Sequence, residues 1–164
     1  MSAKSGKGRL RAKMQDDEQM RIQIDWLEPE RRRAAFSFYK AFMPHARISK
    51  KEALCVAYLP ESAGQIIAAA RLRPIGPYRL LTGVLVHPKL RMQGLGSQLI
   101  QALRPELGLA PSYLLCEAAL CYFYQRHGFA TAQHPPAELS QLQRRYQEQD
   151  KALQLMQYFH KPPS

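Results

Sequence analysis

One stretch, YRLLTGVLVHPKLRMQGLGSQLIQAL at residues 78–103, constrains the fold more than any other. Leu80 to Val86 reads as a buried strand, His87-Pro88 as a turn, Arg91 to Gly96 as a basic glycine loop, and the remainder as a helix. A strand that runs through a glycine-rich turn into a helix aims the free N–H groups of the helix's first turn at one point. Those unpaired donors, together with the positive end of the helix dipole, make an anion site. Gly94 and Gly96 carry no Cβ, so the backbone there can approach an anion closely. A phosphate is the expected occupant.

Spacing separates the phosphate-binding loops that share this physics. A Walker loop requires Gly-Lys followed by Ser or Thr, and nothing of that kind follows Gly94. A dinucleotide fingerprint requires a third glycine three residues after Gly-x-Gly, where this chain has Leu99. What remains is Arg91-Met92-Gln93-Gly94-Leu95-Gly96, of the form (Arg/Gln)-x-x-Gly-x-(Gly/Ala), behind a Val-Leu-Val-His-Pro strand end. A second stretch, SYLLCEAALCYFYQRHGFATA at 112–132, reads as strand, helix and strand, and contains Phe123-Tyr124-x-x-x-Gly128-Phe129. The two motifs, in this order, resemble the two signatures of the GNAT superfamily of N-acetyltransferases. The alternative, an ordinary strand-to-helix connection with glycines used for packing, explains one motif but not the pair.

The length of 164 residues suits one domain with a real core. Apolar residues make up 46% and charged residues 23%, as in ordinary soluble globular proteins. No apolar run reaches the roughly 20 residues that span a bilayer, and no secretory-signal core opens the chain. The expectation is a cytoplasmic protein with no membrane partner. Cys55, Cys116 and Cys121 are odd in number and lack metal-ligand spacing, which reads as reduced packing thiols and no metal. The net charge is +11, and Lys4, Lys7, Arg9, Arg11 and Lys13 meet no acidic residue in their segment. Residues 1–19 therefore read as a disordered basic arm, a solvated tail or else a nucleic-acid contact. A single domain follows over 20–160, then a loose tail at 161–164.

Along that domain, Met20 to Leu27 alternates as a half-buried strand, and Glu28 to Phe42 has helical spacing that Pro44 ends. Arg31, Arg32 and Arg33 fall in the first turns, against the dipole, as an exposed basic face or an anion contact. Lys51 to Leu59 and Gln65 to Pro74 form a hairpin around Pro60 to Gly64. Ala68, Ala69 and Ala70 leave space for an element packed closely above the sheet. The helix after the glycine loop buries Leu95, Leu99 and Leu103 and is expected to break near Arg104-Pro105. Pro135-Pro136 open a last helix, with Leu139, Leu142 and Tyr146 on one face, and Ala152 to Phe159 closes the sheet.

The resemblance implies an α/β (α+β) fold: a mixed, mostly antiparallel central sheet of about seven strands with helices on both faces. It also implies acetyl-CoA as co-substrate and direct transfer of the acetyl group to a primary amine. Phosphate binding then falls to the backbone of Met92, Gln93, Gly94, Leu95, Gly96 and Ser97, with Arg91 adding charge. Val84, Leu85 and Val86 would pair with the pantetheine arm and donate an N–H to the oxyanion. Tyr124 is the expected acid that protonates the CoA thiolate; its alternative is a core aromatic. Glu117 as the base, reached through a water, is one reading, and a helix cap is the other. His87 reads as structural, His127 as exposed and Cys121 as packing.

The acceptor is left open among small amines, peptide or protein amines and aminoacyl-RNA. The positive charge disfavours polycations and favours neutral or acidic acceptors. Relatives often dimerise, with the β-rich C-terminal segment a plausible contact. A non-catalytic regulatory or nucleic-acid-binding module that keeps this fold is the competing reading.

Overall fold

A computed structural model describes residues 21–62 and 64–159. The basic arm, the C-terminal tail and Ala63 lie outside the described residues. The strands are β1 (Gln23–Trp26), β2 (Ala53–Tyr58), β3 (Ala68–Ile75), β4 (Tyr78–Val86), β5 (Ser112–Cys116), β6 (Phe129–Thr131) and β7 (Gln154–Tyr158). The helices are α1 (Arg33–Phe42), α2 (Leu95–Leu107), α3 (Cys121–Gln125) and α4 (Ala137–Glu148). The strands form one seven-stranded sheet in the order β1-β2-β3-β4-β5-β7-β6. Every neighbouring pair is antiparallel except β4 and β5, which run parallel.

Helices cover both faces, and the sequence explains which residue faces which. On one face the leucines of α2 (Leu95, Leu99, Leu103, Leu107) pack with Ala68, Ala70, Leu72, Leu81, Leu114 and Tyr124. Burying each such leucine stabilises the fold by roughly 1.5–3 kcal/mol. On the other face Ala35, Phe38 and Tyr39 of α1 cover Val56, Ala69 and Leu85. Beside them Leu139 and Leu142 of α4 cover Leu80, Tyr113 and Leu155. The three consecutive alanines of β3 thus serve both layers, Ala68 and Ala70 under α2 and Ala69 under α1.

Strand β4 changes face partway along. Ala69 of β3 pairs with Leu85, but Arg71 pairs with Thr82, so Ala70 lies opposite two residues, Gly83 and Val84. This bulge shifts the alternation by one. Leu81 and Val84 therefore share the α2 face, although their separation is odd. Gly83 sits at φ +63°, a left-handed backbone that glycine adopts without strain.

Two expectations about elements are corrected. Helix α2 does not break at Arg104-Pro105 but continues through Pro105 to Leu107. Leu103 and Leu107 are both buried on either side of the proline, and Arg79 holds the last turn through the Glu106 carboxylate (2.9 Å) and the Glu106 carbonyl. These contacts offset the one backbone hydrogen bond that proline cannot make. The segment from Glu28 to Phe42 is not one helix: Pro29–Arg31 is a separate 3-10 turn before α1. Arg31 pairs with Asp25 at 2.8 Å, and Arg32 reaches the Lys50 carbonyl at 3.4 Å.

Candidate active site

The glycine loop is built from the end of β4 onward. His87 caps the Pro88–Leu90 turn, its Nδ1 accepting from the Lys89 N–H at 3.1 Å, and its ring lies 4.6 Å from that of Phe42. The structural reading of His87 holds. Arg91 is extended, Met92 (φ +66°) and Gly94 (φ +77°) are left-handed, and Gly94 is the N-cap of α2. The alternation turns successive N–H groups inward, as in anion-binding nests. The first helical bond runs from the Gln98 N–H to the Gly94 carbonyl at 3.1 Å, and no side chain caps the turn. The N–H groups of Leu95, Gly96 and Ser97 are thus left without helical partners.

The two glycines have different reasons. A Cβ on Gly94 would meet nothing within 4 Å, so its backbone angle is what demands glycine. A Cβ on Gly96 would lie 3.5 Å from the Phe123 ring and 3.9 Å from Val86, so there the requirement is close packing of α2 on its neighbours. Arg91, Met92, Gln93 and Gly94 are exposed, and Leu95 is buried in the core. Ser97 turns its hydroxyl to His127, Oγ to Nε2 at 3.1 Å.

His127 corrects the sequence reading, because it is buried and not exposed. Its ring lies 5.0 Å from that of Phe123, and burial, then Arg126 and Arg104, holds its pKa below the usual imidazole value. A neutral His127 bonded to Ser97 ties the second motif to the first turn of α2.

A second feature opens beside the loop. Strands β4 and β5 pair at Arg79–Ser112, Leu80–Tyr113 and Leu81–Leu114, and no further pair joins them among the described residues. From there Leu115 and Cys116 pair only with β7, and the far end of β4 pairs only with β3. The parting leaves a cleft of about 280 Å³ lined by Thr82, Gly83, Val84, Cys116, Glu117 and Tyr124, among others. Its lining takes Tyr124 from the α2 face and Met43 from the α1 face, so the cleft passes through the sheet.

Tyr124 is 8% exposed, and its hydroxyl has no hydrogen-bond partner among the described residues. Burial, and secondarily Cys116, pushes its pKa up to about 12. Glu117 is exposed at the cleft and sits at the N-cap of the Ala118–Leu120 turn, but its side chain makes no capping bond. The capping alternative for Glu117 is therefore not realised. Val84 lines the cleft, Leu85 points away beneath α1, and Val86 packs beside Gly96. Cys121 lies 3.7 Å from Cys116, sulfur to sulfur, and both are free thiols.

Sequence reasoning missed the support under the bulge. The Tyr39 hydroxyl donates to the Gly83 carbonyl at 2.7 Å, and the Arg71 guanidinium lies over the Tyr39 ring at 5.2 Å. Arg71 in turn pairs with buried Glu52 at 2.8 Å and donates to the Arg47 carbonyl at 3.0 Å. The available signal was Gly83 itself, since an isolated glycine inside an apolar strand run often marks a bulge.

Comparison with known proteins gives the class of this seven-stranded mixed sheet, parted at its parallel pair beside an uncapped helix start. The family model for the acetyltransferase (GNAT) domain matches residues 50–131, half of the chain, and the protein belongs to that family. It is thus an N-acetyltransferase by class. Among solved structures, Rv2747 from Mycobacterium tuberculosis, in complex with CoA and NLQ, is 16% identical with a TM-score of 0.60, covering 83% of this chain and 98% of that one. Escherichia coli ElaA is 18% identical with a TM-score of 0.59, covering 84% and 99%. The ribosomal-protein-S18-alanine N-acetyltransferase from Escherichia coli is 19% identical with a TM-score of 0.55, covering 84% and 92%. At these identities the likeness is one of fold. No protein of curated function matches the chain. No helix among the described residues is long and apolar enough to cross a membrane.

Proposed function

We propose that this protein transfers the acetyl group of acetyl-CoA directly to a primary amine in the cleft between β4 and β5. The observation that carries the reading is the parting of the parallel strand pair β4 and β5 beside the uncapped start of α2. The N–H groups of residues 92–97, with Arg91 nearby, hold the donor's pyrophosphate. The pantetheine arm runs along the free edge of Val84 to Val86, and an N–H there donates to the oxyanion. The amine nitrogen attacks the thioester carbonyl, the carbon–sulfur bond breaks, and the sulfur leaves as thiolate. Tyr124 gives that thiolate its proton. The proton shed by the amine passes to water or, through a water, to Glu117.

The acidity of Tyr124 suits this role better than its raised value suggests. Cys116, a thiol lining the same cleft, is also pushed up to about 12, chiefly by burial and then by Cys121 and Glu117. Desolvation in that cleft raises a CoA thiol in the same direction, which keeps its thiolate basic enough to take the Tyr124 proton. The non-catalytic reading draws on the basic arm at 4–13, which lies outside the described residues, and on Arg31 to Arg33, of which Arg31 and Arg32 already hold Asp25 and the Lys50 carbonyl. The test is calorimetry with acetyl-CoA, CoA and dephospho-CoA, followed by thiol release across an amine library. Micromolar binding with thiol release supports the enzyme. A folded protein that binds none of the three would favour the non-catalytic module.

A further inference from the structure

Next to the cleft lies a much larger cavity, of about 810 Å³, in the gap between α1 and α4 on the face opposite α2. Arg71 and Arg73 of β3 form its floor, Arg47 comes from the segment after α1, and Arg145 and Lys151 come from α4 and its end. Among the described residues the only carboxylate in its lining is Glu52, and Arg71 already holds it at 2.8 Å. Arg47, Arg73, Arg145 and Lys151 have no carboxylate partner among the described residues. Thr82 lines both the cavity and the cleft, so the two spaces meet at the bulge of β4.

Four cations without a carboxylate partner among the described residues thus line one concavity. Arg47, Arg145 and Lys151 are exposed and Lys151 lies over the Tyr146 ring at 5.8 Å, so solvent screens part of their repulsion and the rest makes the concavity attractive to an anion. An anion seated among them relieves that repulsion, and arginine forks match carboxylate and phosphate oxygens. A scattered basic surface would not converge in this way. The volume falls within the roughly 300–1,000 Å³ of small-molecule sites.

We infer that the cavity is the acceptor site and that the acceptor is a small amine carrying two or more negative charges as carboxylate or phosphate. This rests on the acetyltransferase reading and names its substrate class. The donor reaches the cleft from the α2 face, and the acceptor's anionic end is held on the opposite face. Its amine extends past Thr82 toward Tyr124. The surrounding cations also favour the uncharged amine over its ammonium form, which eases deprotonation where the cavity offers no free carboxylate as base.

The test uses the full chain saturated with CoA, which fills the glycine loop, so that further anion binding reports the cavity. Citrate and inorganic phosphate are titrated by calorimetry, and matched neutral, cationic, dicarboxylate and phosphorylated amines are compared by thiol release with acetyl-CoA. Binding of citrate or phosphate, together with preferred turnover of the dianionic amines, is expected. Arg73→Gln and Arg145→Gln should each lower kcat/KM for those amines by about tenfold or more, with acetyl-CoA affinity unchanged. Equal turnover of neutral or cationic amines, or no anion binding by the CoA-saturated protein, would overturn the proposal and leave the acetyltransferase standing. Acetylation of an RNA-linked amine alone, without competition by citrate, would overturn the small-molecule class. Failure to bind acetyl-CoA would instead sink the reading beneath it.

Discussion

Tyr124 and His127 lie three residues apart, and both are driven toward their neutral forms by burial. In the proposed mechanism Tyr124 keeps its proton until the thiolate appears. Tyr124→Phe should therefore lower kcat about a hundredfold while the acetyl-CoA Kd stays near wild type. Wild-type turnover in that variant would show that water or another group protonates the sulfur. His127 gives a stability signature with a definite sign. Its folded pKa lies below 6.5, so the unfolded chain binds a proton first as pH drops. The stability its neutral form contributes is present above pH 6.5 and is lost progressively as pH falls toward the folded pKa. Urea midpoints across that window should decline in the wild type and decline less in His127→Gln, which keeps a partner for Ser97.

At the scale of elements, the bulge in β4 and the start of α2 carry the proposed site. A Cβ at Gly83 would lie 2.6 Å from Arg71 Nε, on a backbone at φ +63°. Gly83→Ala should destabilise the fold by about 1–3 kcal/mol and cost turnover, since the bulge aims the free edge of β4. Tyr39→Phe removes one hydrogen bond to the Gly83 carbonyl and should cost about 1 kcal/mol with a smaller loss of activity, read by paired denaturation and kinetic assays. Gly94→Glu should abolish acetyl-CoA binding in calorimetry, because a left-handed position is filled by a residue that strains there and repels phosphate. Retained binding would move the phosphates away from this loop.

For the whole molecule, the core is full of groups that fold only when uncharged. Cys55 rises from 9.0 to about 12 by burial, and Tyr124 from 10.0 to about 12. Their contribution is complete below pH 9 and falls as pH climbs from there toward 12, where the folded forms also ionise. Thermal midpoints should thus drop through the alkaline range, and Cys55→Ala should make the first part of that drop shallower despite a lower starting stability.

The order of strands and helices, the glycine loop and the Phe123-Tyr124 motif were legible in the linear chain because each depends on neighbours in sequence. Periodicity set the faces, and a left-handed glycine announces itself locally. The helix through Pro105 was not legible, because Leu103, Leu107 and Arg79 outweigh the proline only once the sheet is present. The burial of His127 and its bond to Ser97, thirty residues earlier, likewise need two motifs packed together. Arg47, Arg71, Arg73, Arg145 and Lys151 come from separate parts of the chain, and nothing in their local sequence says that they converge. The sequence by itself determined the family and the glycine loop proposed to hold the donor's phosphates, through short-range backbone geometry. Only the tertiary structure decided which charges line the large cavity between α1 and α4, because electrostatic convergence is a property of distances across the fold.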